Sequence, residues 1–408
     1  MVFDGLYAER AKLMKTSEIR EFFKLTEQPD MMSFAGGFPS ADFFPMGKVA
    51  DVLSGLIEQE GKFALQYGPT EGNLELRTYL AEKMTREGIP ASPDNILITN
   101  GSQQGMDLLS RVFLNPGDMV VVEEPGYVGG LGAIRNYEGD RMPIPMDESG
   151  LRTDLLAVAL RKLSKEGRLP KFAYLVPNFQ NPTGISLSLE RRREMLKLAR
   201  EYNFALIEDN PYGEIRFEGE PLPSIKSLDT DGRVIYLGSF SKTFIPGIRV
   251  GWLVADEPLI QKLACAKQST DLCSNSLGQR MACRFAASGY IDEHVSSLVS
   301  LYKEKRDLML SCMEKHFPAG VSWTQPRGGF FIWVTMPEEM NARTVLLKAI
   351  ERRVAFVDGA GFYVNGNGKN TARFAFSEAS PEKIRRGIAI LGELLHEEMT
   401  KLHKAMSA

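Results

Sequence analysis

One lysine stands among phosphate-binding residue types in the stretch Ser239–Trp252, SFSKTFIPGIRVGW. It lies between two runs that predict strands, Arg233–Gly238 and Arg249–Ala255. Burial disfavours the charged form of a lysine, and a neutral amine can attack a carbonyl to form a Schiff base. Serine hydroxyls before Lys242 and the guanidinium of Arg249 after it are groups that bind phosphate. The stretch therefore indicates pyridoxal phosphate (PLP), with a snorkelling surface lysine beside a structural arginine as the alternative.

PLP chemistry also needs an acid that keeps the ring nitrogen protonated, so that the ring can withdraw electrons. Asp209 suits that role because it follows the predicted strand Phe204–Ile207, although an ordinary turn aspartate before Asn-Pro has the same pattern. Other groups must orient the ring. Tyr127 could stack on its face, and Asn181 and Tyr212 could hydrogen-bond its phenolic oxygen.

A second anion site is predicted where the strand Asn95–Thr99 runs through a Gly-Ser turn into a helix that ends near Phe113. Free N–H groups and the helix dipole converge at such a turn, although a plain strand-to-helix turn has the same pattern. Neither a Walker loop nor a dinucleotide fingerprint is present. We expect the phosphate group to be held by Ser102, Gln103, Ser239, Ser241 and Arg249.

An amino-acid substrate would need a site for its α-carboxylate, and arginine is the natural choice for a two-pronged contact. Arg373 lies in the apolar run Thr371–Phe376, where a buried arginine requires a partner. A structural ion pair is the alternative. The paired glycines Gly36 and Gly37 mark a turn where the backbone could approach a ligand closely, or a plain turn.

Predicted strands alternate with helices, which indicates an α/β fold with a doubly wound, mainly parallel sheet. Ligands bind at the carboxyl ends of strands in such sheets. The candidate residues that follow predicted strands are Ser102, Gln103, Tyr127, Asn181, Asp209, Tyr212 and Ser239. The helix Leu189–Tyr202 is predicted to connect two of these strands, with Arg191–Arg193 on its solvated face.

The pattern changes towards the C-terminus. Residues 257–315 are predicted to be mostly helical, and a smaller α+β unit follows. We expect an N-terminal arm over residues 1–45 that packs with the small domain and includes a helix at Ser17–Leu25. We expect a large PLP-binding domain over residues 46–290 and a small C-terminal domain over residues 291–408.

Composition excludes several classes of function. The 408 residues carry a net charge of −3 and no basic tract, which argues against nucleic acid as a partner. No apolar stretch is long enough to span a membrane, and the N-terminus does not resemble a signal peptide. The four cysteines lack metal-ligand spacing, so we expect no metal site, reduced thiols and a cytoplasmic location.

Several motifs in order resemble the class I aminotransferases of PLP fold type I. They are NPTG at Asn181–Gly184, DNPY at Asp209–Tyr212, and SFSK at Ser239–Lys242 followed by Arg249. Other stretches resemble the branch with 2-aminoadipate, kynurenine and aromatic aminotransferases. These stretches are SFAGGFP at 33–39, LQYGPTEG at 65–72, TNGSQQ at 99–104, PNFQNPTG at 177–184 and AKQSTDL at 266–272.

The resemblance implies roles for the residues already singled out. Lys242, Asp209 and Tyr127 become the catalytic set, with Lys242 forming the internal aldimine and moving the proton, and Asp209 pairing with the pyridinium nitrogen. Arg373, together with Asn181, is implied to bind the substrate α-carboxylate.

Three further roles depend on the resemblance alone. Gly37 is implied to line the substrate site. Tyr67 is implied to reach the phosphate held by the neighbouring subunit, so a homodimer with active sites at the interface is expected. Arg20, on a mobile N-terminal helix, is implied to recognise a distal carboxylate, or is an exposed helix arginine.

The function expected from the resemblance is transamination between an L-amino acid and a 2-oxo acid, with 2-oxoglutarate as the expected acceptor. Broad specificity that includes aromatic amino acids and 2-aminoadipate is expected. The same cofactor residues serve other fold type I reactions such as racemisation. A PLP-sensing regulatory domain is a third interpretation, which the absence of a basic patch disfavours.

Overall fold

The computed structural model of the chain describes residues 3, 5–14 and 30–406. Its strands are β1 (Met32–Ser33), β2 (Ile96–Thr99), β3 (Met119–Glu124), β4 (Asp140–Asp147), β5 (Gly150–Leu151), β6 (Phe172–Leu175), β7 (Ala205–Asp209), β8 (Val234–Ser239), β9 (Gly251–Val254), β10 (Ser322–Trp323), β11 (Phe331–Thr335), β12 (Val354–Ala355), β13 (Val357–Asp358) and β14 (Thr371–Ala375). Its α-helices are α1 (Met46–Ala64), α2 (Leu74–Arg86), α3 (Ser102–Phe113), α4 (Val128–Asn136), α5 (Thr153–Lys165), α6 (Leu189–Glu201), α7 (Ile225–Leu228), α8 (Glu257–Asp271), α9 (Ser276–Ala287), α10 (Tyr290–His316), α11 (Ala342–Glu351) and α12 (Pro381–Met406).

An eight-stranded sheet has the strand order β2-β9-β8-β7-β6-β3-β4-β5. Strands β8, β7, β6, β3 and β4 pair in parallel, whereas β9 runs antiparallel to both β2 and β8. Strands β2, β3, β4, β6, β7 and β8 therefore point the same way and end at one edge. This arrangement confirms the predicted α/β fold with a mainly parallel sheet.

Alternation along the strands divides the side chains of this sheet between two cores. On β3, Val120 and Val122 pack in one hydrophobic cluster, and Val121 between them packs in another. On β6, Tyr174 joins the first cluster while Ala173 joins the second. Helices cover both faces, so these strands appear in the sequence as nearly continuous apolar runs.

A four-stranded antiparallel sheet, β10-β11-β14-β13, lies in the C-terminal part of the chain, which also contains α10, α11 and α12. Strand β1 pairs in parallel with β12, with Met32 opposite Val354. The segment that carries β1 therefore contacts the C-terminal α+β unit. The domain bounds given above stay a prediction, and the helix expected at Ser17–Leu25 lies outside the described residues.

The prediction that Arg191–Arg193 all lie on the solvated face of α6 is wrong for Arg192. Arg192 is fully buried, and its guanidinium donates hydrogen bonds to the carbonyl oxygens of Leu187 (3.0 Å), Pro177 (2.9 Å) and Pro223 (2.9 Å). It also donates to Oδ1 of Asn178 over 2.7 Å. Loop carbonyls thus replace water around this cation, which a run of three arginines does not reveal.

Within residues 3, 5–14 and 30–406, no helix combines the length and the apolar character needed to cross a membrane.

Candidate active site

Lys242 follows the carboxyl end of β8, in the turn towards β9. Its Nζ donates a 2.9 Å hydrogen bond to the carbonyl oxygen of Gly37. The same nitrogen lies 5.6 Å from the ring centre of Phe330 and 5.9 Å from that of Tyr212. Burial, together with two nearby guanidinium groups, lowers the pKa of Lys242 to about 8. More of this amine is therefore neutral near pH 7 than of an exposed lysine.

Asp209 is the last residue of β7 and is 3% exposed. Its Oδ2 accepts a 2.7 Å hydrogen bond from the hydroxyl of Tyr174, and Oδ1 is buried with no hydrogen-bond partner among the described residues. Burial raises the pKa of Asp209 to about 6, and the nearby hydroxyls of Tyr174 and Ser102 oppose that rise. One carboxylate oxygen is thus held in place, while the other is free to accept a hydrogen bond.

The N-terminus of α3 meets the end of β2 at Gly101. This glycine has a φ of 74° and carries no side chain that could cap the helix. A Cβ at this position would lie 2.4 Å from Nη2 of Arg249. The turn therefore requires glycine, and it leaves the N–H groups of Ser102 and Gln103, at the start of the helix, available to an anion.

Arg249 connects the two halves of this candidate anion site. Its Nη2 donates to the carbonyl oxygen of Asn100, and its Nη1 donates to Oγ of Ser241, each over 3.3 Å. Oγ of Ser239 accepts the backbone N–H of Ser241 at 3.0 Å. The structure thus brings together the turn after β2 and the turn after β8, which carry the residues expected to bind phosphate.

Tyr127 immediately precedes α4, and its hydroxyl lies 3.5 Å from Oε1 of Gln103. Nε2 of Gln103 donates to the carbonyl oxygen of Gly129 over 2.9 Å. A Cβ at Gly129 would come within 2.6 Å of the Tyr127 ring. The ring is therefore fixed against the start of α4, beside the N-terminal turn of α3.

Arg373, on β14, is 4% exposed. Its Nη1 donates to Oδ1 of Asn181 over 2.9 Å, and its Nη2 donates to the carbonyl oxygen of Ala35 over 2.6 Å. The guanidinium lies 4.5 Å from the ring centre of Phe331 and 5.3 Å from that of Phe362. Burial lowers the pKa of Arg373 to about 10. Its Nε is buried with no hydrogen-bond partner among the residues described.

The structural ion pair considered for Arg373 has no counterpart in the described part of the chain, where no carboxylate lies within salt-bridge distance of it. Gly37 packs against Phe331, whose ring also lies against the Arg373 guanidinium. A Cβ at Gly37 would be only 2.7 Å from Cζ of that ring. A buried cation without a carboxylate partner, close to Lys242, fits a carboxylate-bearing ligand.

One predicted site residue, Tyr67, is not brought to this cluster, because it is 77% exposed in the loop before α2. Another, Arg20, lies outside the described residues.

Two contributing side chains were not predicted. Tyr174 has the sequence pattern of an apolar strand residue, so its hydroxyl was not expected at the site. The amide of Gln180 was not expected there either. Nε2 of Gln180 donates to the carbonyl oxygen of Pro125 over 2.7 Å and to Oε2 of the buried Glu123 over 3.2 Å. Burial raises the pKa of Glu123 to about 8. This contact ties the loop before Tyr127 to the loop that carries Asn181, and no local sequence signal indicates it.

The contacts of these side chains match the chemical groups of PLP. A lysine amine of lowered pKa can hold the aldehyde, and the free Oδ1 of Asp209 can accept a ring N–H. A helix N-terminus with Arg249 can hold the phosphate, and the free Nε of Arg373 can meet a carboxylate. Among the described residues, no group of acidic, histidine and cysteine side chains could hold a metal ion.

Comparisons with known proteins agree with this geometry. The sequence profile of the family "Aminotransferase class I and II" matches residues 29–391. Aromatic-amino-acid aminotransferase 1 of Thermococcus litoralis is 45% identical over 400 residues, which cover 98% of this chain and 96% of that protein.

Two solved structures resemble the fold closely. The kynurenine aminotransferase of Pyrococcus horikoshii, in complex with PMP, KYN as substrate and KYA as product, has a TM-score of 0.94 at 45% identity and covers 97% of this chain and 98% of its own. The alpha-aminoadipate aminotransferase of Thermus thermophilus, complexed with N-(5'-phosphopyridoxyl)-L-leucine, has a TM-score of 0.91 at 35% identity and covers 98% of this chain and 100% of its own. The chain thus belongs to the class I and II aminotransferases, and it is a PLP-dependent enzyme that transfers amino groups.

Proposed function

We propose that this aminotransferase has broad specificity, takes aromatic amino acids and 2-aminoadipate as donors, and uses 2-oxoglutarate as acceptor. The observation that carries the proposal is the buried guanidinium of Arg373, which lies between the rings of Phe331 and Phe362 and has a free Nε. A cation for the α-carboxylate beside aromatic rings suits donors with apolar or aromatic side chains. Relatives named for aromatic, kynurenine and aminoadipate substrates support the same range.

In the proposed mechanism, bound PLP supplies an aldehyde that bonds to amines and a ring that accepts electrons from the substrate Cα. Nζ of Lys242 takes the proton from Cα, which its lowered pKa favours. The carboxylate of Asp209 would accept a hydrogen bond from the ring nitrogen at Oδ1 and would stabilise its positive charge. Tyr127 would stack on the ring.

Binding and orientation fall to the remaining side chains. Asn181 and Tyr212 are assigned to the ring oxygen, and burial raises the pKa of Tyr212, so its phenol stays a donor. Asn181 and Arg373 are assigned to the α-carboxylate, with Gly37 lining the substrate site. The proposed phosphate-binding residues are Ser102, Gln103, Ser239, Ser241 and Arg249.

A homodimer with active sites at its interface is part of the proposal. Tyr67 would complete the partner's phosphate site, and its 77% exposure supports a role outside its own subunit. Phe63 and Leu65, close by in sequence, are each 69% exposed, which is unusual for large apolar side chains unless another surface covers them. Arg20 is proposed to contact the distal carboxylate of acidic donors.

The division into an arm (1–45), a large domain (46–290) and a small domain (291–408) belongs to the proposal. So does a cytoplasmic location without a nucleic-acid or membrane partner. All four cysteines are free thiols, which supports a reducing compartment.

The deciding experiment incubates the purified enzyme with 2-oxoglutarate and a panel of amino acids, and measures glutamate. Aromatic amino acids and 2-aminoadipate should yield glutamate with comparable kcat/KM. Chiral analysis of the same donors without any oxo acid tests racemisation. Racemisation without glutamate formation, or activity confined to one donor outside both groups, would overturn the proposal.

A further inference from the structure

An ion pair on α8, between a buried lysine and a partly buried aspartate, contacts the turn after β2. Lys267 is 0% exposed, and its Nζ lies 2.9 Å from Oδ1 of Asp271, one helical turn further on. Taking an ammonium and a carboxylate out of water costs several kcal/mol per ion unless other contacts compensate. Asp271 is also the last residue of α8, where the helix dipole disfavours a negative charge. Stability of the helix does not explain this placement.

The second oxygen of Asp271 supplies the missing contacts. Its Oδ2 accepts hydrogen bonds from Nδ2 of Asn100 and from Nε2 of Gln104, both at 2.7 Å. These two amides flank the turn that carries Gly101 and Ser102. Because an ionised carboxylate only accepts hydrogen bonds, it fixes which end of each amide faces it. The ion pair therefore sets the orientation of both side chains.

That orientation fixes the backbone of the turn. Oε1 of Gln104, turned away from Asp271, accepts the backbone N–H of Asn100 at 2.8 Å. The carbonyl oxygen of Asn100 accepts the hydrogen bond from Nη2 of Arg249. A chain of contacts thus runs from Lys267 to Arg249, and the N-terminal turn of α3 lies between its ends.

The charge of the pair also suits an anion site. A lone carboxylate behind the turn would repel a phosphate, but the ammonium of Lys267 balances it. Arg111 ties the same two helices together, because its Nη1 donates to the carbonyl oxygen of Ala266 over 3.1 Å and to Oγ1 of Thr270 over 3.0 Å. Helix α8 is thereby a rigid support for the start of α3.

We propose that Asp271, held by Lys267, is a positioning residue for the phosphate of the cofactor: it fixes Asn100 and Gln104 so that the N-terminus of α3 and Arg249 converge on that group. The proposal rests on the phosphate site proposed above. Removing the contacts of Asp271 should therefore weaken the binding only of ligands that carry the phosphate.

The first test is Asp271→Asn. An asparagine here places its own N–H₂ either against the ammonium of Lys267 or against the two amide donors, so one set of contacts fails in each orientation. Full-length protein is stripped of cofactor and titrated with PLP and with pyridoxal, which has the same aldehyde and ring but no phosphate. We expect the Kd for PLP to rise about tenfold or more and the Kd for pyridoxal to change less than about twofold.

The control is Asp307→Asn on α10. Asp307 has the same four-residue spacing and the same 2.9 Å distance to its lysine, Lys303, but that lysine is 44% exposed. This variant should leave both dissociation constants unchanged. Equal losses of PLP and pyridoxal affinity in Asp271→Asn, or no loss of either, would overturn the proposal.

A second variant keeps the test decisive if Asp271→Asn does not fold. Gln104→Met leaves the ion pair between Lys267 and Asp271 in place and removes both the hydrogen bond to Asp271 and the link to the backbone of Asn100, so it should show the same selective loss of PLP affinity. Arg249→Met distinguishes a failure of the positioning role from a failure of the proposed phosphate site. If Arg249→Met loses PLP selectively while Gln104→Met and Asp271→Asn do not, the positioning role is wrong and the phosphate site stands. If Arg249→Met shows no selective loss, the phosphate site is wrong, and the positioning role with it.

Discussion

The hydroxyl of Tyr174 donates a 2.7 Å hydrogen bond to Oδ2 of Asp209, and Oδ1 of this carboxylate has no partner among the described residues. The two residues lie on adjacent parallel strands, with Tyr174 opposite Ile207 in the register of β6 and β7. The hydroxyl thus fixes the carboxylate, while its other oxygen is free to accept a further hydrogen bond. A buried, half-satisfied carboxylate should cost the cofactor-free protein stability.

Asp209→Asn should therefore stabilise the cofactor-free protein at pH 7.5. Burial raises the pKa of Asp209 from 3.8 to about 6. Because this shift favours the protonated carboxyl in the folded state, it adds to the free energy of unfolding at low pH. This added stability is complete below pH 3.8 and is lost as the pH rises through 6, and the loss amounts to about 3 kcal/mol. The buried amide of asparagine costs part of this, so we expect a gain of about 1–2 kcal/mol.

Urea unfolding of the cofactor-free proteins at pH 7.5 and pH 5 measures this gain, which should shrink at the lower pH. Asp51→Asn, at an exposed position of α1, is the control and should change little. The same Asp209→Asn variant should bind PLP more weakly. A destabilised Asp209→Asn variant at pH 7.5 would contradict the interpretation.

Tyr174→Phe removes the hydroxyl and leaves the ring in the core. Without this donor the pKa of Asp209 should rise further, because the hydrogen bond favours its ionised form. We expect the acid limb of the pH profile for PLP binding to move to higher pH and kcat to fall about threefold to tenfold. An unchanged acid limb would mean that Tyr174 does not tune this carboxylate.

The sequence predicts the central residues of the site because each contrasts with its neighbours. Lys242, Asp209 and Arg373 are charged residues in or at the ends of apolar runs, and strand ends converge at one edge of a parallel sheet. The predicted helix at Leu189–Tyr202 matches α6 to within one residue, because a regular helical repeat leaves little freedom.

The supporting contacts could not be predicted, because each joins segments that are far apart in sequence. Asn181 and Arg373 are 192 positions apart, and Asn100 and Asp271 are 171 apart. A lysine and an aspartate four residues apart on a helix usually form a surface pair, so Lys267 and Asp271 carry no signal of burial. Tyr174 likewise has the pattern of an ordinary core tyrosine.

The reaction of the cofactor-free protein with PLP should accelerate with pH and level off above about pH 8. Burial lowers the pKa of Lys242 from 10.5 to about 8, and only the neutral amine attacks the aldehyde. Stopped-flow absorbance from pH 6.5 to 9.5 measures the rate, with Lys242→Ala as the control that should show no visible band from the attached cofactor. A rate that continues to rise to pH 9.5 would contradict the lowered pKa.

Arg373→Lys should reduce kcat/KM for amino-acid donors by about a hundredfold or more, because an ammonium lacks the planar fork that meets a carboxylate with two hydrogen bonds. The cofactor absorbance should remain. 2-Phenylethylamine, which is phenylalanine without its carboxylate, provides the comparison. Its slow reaction should change little in the variant, and an equal loss for both substrates would assign Arg373 a structural role instead.

Arg192→Met should destabilise the protein by about 3 kcal/mol or more, because it leaves three loop carbonyls and the side chain of Asn178 without their donor. Nδ2 of Asn178 in turn donates to Oδ1 of Asn210 over 2.8 Å, so the loops after β6 and β7 are tied together through this side chain. Arg193→Met, at the exposed neighbouring position, is the matched control for urea unfolding. We also expect Arg192→Met to weaken PLP binding, since those loops carry Asn181 and Tyr212. Equal stability of the two variants would mean that water replaces the guanidinium at little cost.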